Sequence, residues 1–156
     1  MAPFTKLLIK GLAAGAAGTL AMTLLQKAEM RRTGREPSST PAKAIEKITG
    51  LEPSSEQAEQ RLANAVHWAY GTSWGLARAG LGAVGLRGLA ASGAFFGMVW
   101  GAAALMLPAL GLAPPVWQWS KKEIAKDALF HATYAFGASA AFRLLDGASM
   151  RGAEAT

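Results

Sequence analysis

From Gly88 to Ser120 the chain carries no charged residue. A bilayer is crossed by about 20 predominantly apolar residues in a helix, so the run predicts a span over about residues 89–110. Pro108 falls in its last turn, and Pro114-Pro115 forbid further helix beyond it. Trp117 and Trp119 follow, where aromatic side chains gather at a membrane interface. Composition points the same way. Hydrophobic residues make up 51% and charged residues 17%, against about a quarter charged in soluble domains.

Three more segments read as spans. The first covers about residues 7–26 and is broken only by Lys10, which can snorkel to the headgroups. No small-x-small site precedes a polar start after it, so a retained span is expected rather than a cleaved leader. The second covers about 62–86 and is interrupted by Arg78. The last covers about 128–145, after a polar entry of Lys121, Lys122, Glu123, Lys126 and Asp127. The tail from Asp146 is expected to fray.

A polar connection over 27–61 separates the first two spans. Within it, Thr40-Pro41 predicts a helix start and Gly50 a stop, with Ala44, Ile45 and Ile48 as a short apolar stripe. Ser54 with Gln57 predicts a cap for the next helix.

Glycines recur at a spacing of four: Gly11 and Gly15, then Gly71 and Gly75, then Gly93, Gly97 and Gly101. Small residues at this spacing let helix backbones approach closely in lipid. All seven are expected at helix-packing faces. Two short echoes add to the pattern. Gly11-Leu-Ala-Ala matches Gly88-Leu-Ala-Ala, and His67-x-x-Tyr70 matches His131-x-x-Tyr134. The expected architecture is an all-α integral membrane four-helix bundle, a single membrane domain over 1–156, built as two pseudo-repeated helical hairpins.

The residues also carry a likeness. They are the opening Gly/Ala-rich span ending in Met22-Thr23, Gly34-Arg35-Glu36-Pro37 in the connection, and His67-x-x-Tyr70-Gly71. Pro108-Ala-Leu-Gly111-Leu-Ala-Pro114-Pro115 and His131-x-x-Tyr134 complete the set. Together these resemble the YagU-like family of small bacterial inner-membrane proteins, a domain of unknown function. Similar proteins tend to carry Gly after the second Tyr, where this chain has Ala135. The resemblance implies a multi-pass protein of the bacterial plasma membrane and carries over no catalytic residue.

The candidate functional groups are polar residues at membrane depth: His67, Tyr70, His131 and Tyr134. Lipid cannot satisfy them, so they are expected to face the bundle interior. Each His and Tyr three apart are expected to share a helix face, with Trp74 one turn beyond Tyr70. The plainest role for them is interhelical hydrogen bonding. A proton or small-solute path through an oligomer is the alternative, since His titrates near neutral pH. A bis-His b-type haem is the second alternative.

Several classes are disfavoured. The chain lacks Cys, so thiolate chemistry and disulfides are excluded. The net charge of +6 comes from Lys and Arg at the ends of apolar runs, not from one basic face, so nucleic acid is not expected as a partner. Counting Lys and Arg places the connections in the cytoplasm, although Lys6 and Lys10 oppose this. Gly80-Leu-Gly82-Ala-Val-Gly85 matches a dinucleotide fingerprint but follows a helical segment and not a strand. No nucleophile–base pair or paired carboxylates stand out. No catalytic residue, cofactor or metal is assigned. The expected partners are the lipid bilayer and either a second copy or another membrane protein, in a structural or accessory, non-enzymatic role.

Overall fold

A computed structural model describes residues 3–154, with side chains from 4 to 147. Five α-helices follow one another: α1 (Pro3–Thr33), α2 (Thr40–Thr49), α3 (Glu56–Ala83), α4 (Gly88–Ala109) and α5 (Lys121–Glu154). One turn of 3-10 helix at Val116–Gln118 lies between α4 and α5. No strand occurs among the described residues.

The four-span expectation is corrected here. Among the described residues, only α1 and α4 are long and apolar enough to cross a membrane. α3 and α5 have the length, but Asn64, His67, Tyr70, Thr72, Ser73 and Arg78 dilute the apolar character of one. Lys121, Lys122, Glu123, Lys126, Asp127, Arg143 and Asp146 do so for the other. Two equivalent hairpins do not emerge either. α1 packs along both α3 and α5, whereas α4 leans chiefly on α5.

The helices overrun the expected spans at their ends. α1 has 31 residues, about 46 Å of helix at 1.5 Å per residue. Lys, Glu, Arg and Ala extend a helix as readily as Leu does, so the entry of charge ends an apolar run without ending the helix. For the same reason α5 passes through Asp146, where fraying was expected, and continues to Glu154. Residues 155 and 156 of that tail lie outside the described part.

Helix ends follow local chemistry. α3 is capped by Ser55, whose Oγ accepts the Ala58 N–H at 3.2 Å, one residue later than the Ser54 cap expected. α2 stops at Gly50 in the left-handed region (φ +72°), which returns its N–H to Glu46 O at 2.8 Å. α2 turns Ala42 and Ala44 inward and packs on α3, leaving Ile48 exposed. A reciprocal capping box at the start of α5 was not anticipated. The Ser120 N–H donates to Glu123 Oε2 at 2.7 Å, and the Glu123 N–H to Ser120 Oγ at 3.2 Å.

The bundle is held by one very close contact. α1 and α3 run antiparallel with Gly11, Gly15 and Thr19 laid against Ala79, Gly75 and Gly71. A Cβ on Gly11 would stand 2.8 Å from Gly75 O, and one on Gly75 would collide with Gly11 O. On the other side of α1, a Cβ on Gly18 would stand 2.6 Å from Tyr134 O of α5. α4 closes the group through Phe95 and Val99, which meet Tyr134, Ala135 and Ala138 of α5. Ala135 is fully buried there.

Gly93, Gly97 and Gly101 behave differently from the other glycines. A Cβ on any of them meets nothing within 4 Å among the described residues. They stand on the face of α4 turned away from its neighbours, so their expected packing role is not met among the described residues.

Two predictions follow from these contacts. Gly75→Ala forces α1 and α3 apart and costs about 2 kcal/mol, while Gly97→Ala is neutral or stabilising by up to about 1 kcal/mol. Thermal unfolding in detergent reads the difference. The second concerns Glu123, whose carboxyl is held below the ordinary value by the Ser120 hydroxyl and then the Ser120 N–H. A depressed carboxylate contributes stability above its unfolded pKa, lost as pH falls through the folded one. Amide exchange at residues 121–124 should therefore quicken on acidification below the ordinary Glu range, and Glu123→Gln should remove that pH dependence.

Candidate functional site

The α1–α3 contact determines where the first histidine lies. His67 is on the same i, i+4 stripe of α3 as Gly71, Gly75 and Ala79. Thr23 continues the matching stripe on α1, after Gly11, Gly15 and Thr19. The stripes pair in reverse order, so Thr23 meets His67, with Oγ1 and Nε2 3.1 Å apart. Thr19 turns its hydroxyl back to Gly15 O at 2.9 Å and is fully satisfied within its own helix.

The second histidine sits among α5 and α4 groups. His131 Nδ1 is 2.9 Å from Asp127 O and 3.3 Å from Asp127 Oδ2. Both neighbours are oxygens, which places a proton on Nδ1. The same carboxylate oxygen accepts Trp100 Nε1–H of α4 at 2.8 Å. Asp127 therefore joins two helices, although its place in the sequence reads as a solvated helix entry. His67 and His131 both lie on the half of the bundle where the two long connections emerge.

The two tyrosines part company. Tyr134 is buried, its ring 5.7 Å from that of Phe95 between centroids. Its hydroxyl donates to Gly71 O at 2.6 Å. This bond ties α5 to α3, while the missing side chain of Gly71 makes room for Thr19 of α1. Tyr70 is 39% exposed and only meets Trp74 edge-on at 6.0 Å. So His67 and Tyr70, three apart, do not act together. The partner of His67 on its own face is Gly71. The Trp74 indole nitrogen is buried without a hydrogen-bond partner among the described residues.

Thr23, Asp127 and Trp100 were not among the groups expected to be functional. A signal existed for Thr23, since Gly11, Gly15, Thr19 and Thr23 repeat every four residues. None existed for Asp127 with Trp100, which are brought together only by the crossing of α4 on α5.

As chemistry, the cluster is a set of short hydrogen bonds, between helices for His67, Tyr134 and Asp127 and within α5 for His131, whose expected interhelical bond does not form. His67, His131, Tyr134 and Asp127 each have a partner inside the bundle. Among the described residues, no three His, Asp or Glu come together as a metal-binding group. The contrast between the tyrosines is directly measurable. Tyr134→Phe should cost about 1 kcal/mol, and Tyr70→Phe should stay within about 0.5 kcal/mol of wild type, both by thermal unfolding.

Set against family models, curated proteins and solved structures, the chain matches none. The likeness to the YagU-like family thus rests on the motif residues quoted above.

Proposed function

We propose that this chain is a multi-pass plasma-membrane protein with a structural or accessory role and no enzymatic activity. One observation carries the reading. Among the described residues, eight of the thirteen buried apolar ones are Ala, while eighteen large apolar side chains are exposed. A soluble bundle puts its large side chains inside and rarely leaves so many outside. Some of the exposed ones follow α1 from Phe4 to Leu24 and α4 from Leu89 to Leu105, the two helices fit to cross a membrane, and others lie on α3 and α5. Groups turned inward include Thr19, Arg78, Ser92 and Ser139. Small and polar inside with large and apolar outside suits lipid.

The histidine cluster fits the same role. Thr23–His67 joins α1 to α3, Tyr134–Gly71 joins α5 to α3, and Trp100–Asp127 joins α4 to α5. Each is an interhelical clamp worth about 1 kcal/mol where lipid offers no competing partner. The open Gly93, Gly97 and Gly101 face on α4 supports the accessory part of the reading, as a seat for a helix of a second copy or of another membrane protein.

Alkaline carbonate extraction should leave the protein in the membrane pellet, and release into the supernatant would overturn membrane residence. In proteoliposomes, the His67→Ala, His131→Ala double variant should carry the same proton flux as wild type. A loss of flux would replace the clamp role by a permeation pathway. A Soret band that shifts on reduction would replace it by a bis-His haem.

A further inference from the structure

At the other end of the bundle, away from the histidines, Arg78 is buried in a way its own chain does not complete. It is 2% exposed. Its Nε donates to Ser139 Oγ at 3.0 Å, and its guanidinium carbon lies 4.8 Å from the centre of the Phe142 ring. Nη1 has no hydrogen-bond partner among the described residues. Burying a guanidinium with a donor unused is costly, and such a group calls for an anion.

There is space for one. Arg78 lines a cleft of about 530 Å³ between α1, α3, α4 and α5, with Leu7, Gly82, Gly88 and Phe142 among its walls. At ~30 Å³ per water the cleft has room for a phosphate group with its hydration. Arg87 and Arg143 also line it. Both are exposed, and neither is paired with a carboxylate among the described residues. The carboxylate on the rim, Asp146, is engaged by Lys10 Nζ at 2.9 Å. α4 begins at the same place, and no acidic residue occupies its first turn, so its free N–H groups add positive potential.

We propose that this cleft is an anion site for a phosphate group, with Arg78 as the buried anchor and Arg87 and Arg143 as the rim. Guanidinium groups are well matched to phosphate, which they bind through paired N–H donors. The phosphate can belong to a lipid headgroup or be free in solution. The site itself does not depend on the membrane reading, although the lipid source does.

The experiment uses the full chain purified in an uncharged detergent. Inorganic phosphate is titrated by calorimetry. In parallel, native mass spectrometry compares retention of phosphatidylglycerol with that of a diacylglycerol bearing the same acyl chains. Binding of both phosphate and phosphatidylglycerol assigns the site to phosphate from either source. Binding of phosphatidylglycerol alone, in preference to diacylglycerol, assigns it to a lipid headgroup. In either case Arg78→Met should weaken binding by about tenfold or more. Should that variant fail to fold by circular dichroism, the Arg87→Gln, Arg143→Gln pair serves instead, because both side chains are exposed, and it should weaken binding several-fold. The proposal is overturned if wild type binds neither probe, or holds diacylglycerol as well as phosphatidylglycerol without binding phosphate. It is equally overturned if the folded variants bind as tightly as wild type.

Discussion

The backbone contact between α1 and α3 is the constraint on which the other arrangements depend. Helices in ordinary packing keep their axes 8–10 Å apart because side chains intervene. Here Gly11 and Gly15 face Gly71 and Gly75, and no side chain intervenes. The approach brings Thr23 within reach of His67. Gly71 O accepts the Tyr134 hydroxyl of α5, and the missing Cβ of Gly71 makes room for the Thr19 side chain. Gly18 performs the same service toward α5 on the next face of α1. One helix thereby serves as the axis on which two others are mounted, and α4 is added through aromatic and Val contacts with α5.

This construction changes what the core is made of. With the backbones so close, little volume remains between α1 and α3, and Ala makes up most of the buried apolar residues described. Apart from a few such as Phe95, Val99 and Phe142, the large apolar side chains stay outside. They line the outer surface, which an apolar solvent would cover at no cost and water would not. The proposed membrane residence and the glycine contact are thus two sides of one packing arrangement. Polar groups follow the same logic in reverse. Tyr134, Asp127 and Arg78 are directed inward and bonded to other helices, since a polar group facing lipid would go unsatisfied.

Charge separates the two ends of the bundle. Near the long connections, Lys and Arg are interleaved with Glu, and Glu29 takes Arg35 and Lys126 as partners. At the opposite end Arg78, Arg87 and Arg143 gather around one cleft whose carboxylate is already paired with Lys10. In sequence Arg78 looks like a flaw in an apolar segment. In the folded chain it is a buried, half-satisfied donor, and the flaw becomes a candidate site.

Helix content, the apolar runs of α1 and α4, the stop at Gly50 and the glycine stripes of α1 and α3 were legible in the sequence. Each depends on residues near one another along the chain: apolar length, capping groups, and small residues four apart. Other features were decided by the tertiary structure alone. The Gly93, Gly97 and Gly101 stripe has the same spacing as the stripe at Gly11 and Gly15, yet it faces outward. Spacing defines a face of a helix, and only packing decides which face is covered. His67 and Tyr70 satisfy the same spacing rule as His131 and Tyr134, yet one tyrosine is exposed and the other buried. The reason is that α3 turns the His67–Gly71 stripe toward α1, and α5 turns Tyr134 toward α3 and α4. Asp127 and Trp100, or Arg78 and Ser139, are far apart in the chain, and no local rule links them. Their meeting depends on how closely the backbones approach, which the sequence expresses only through the absence of side chains.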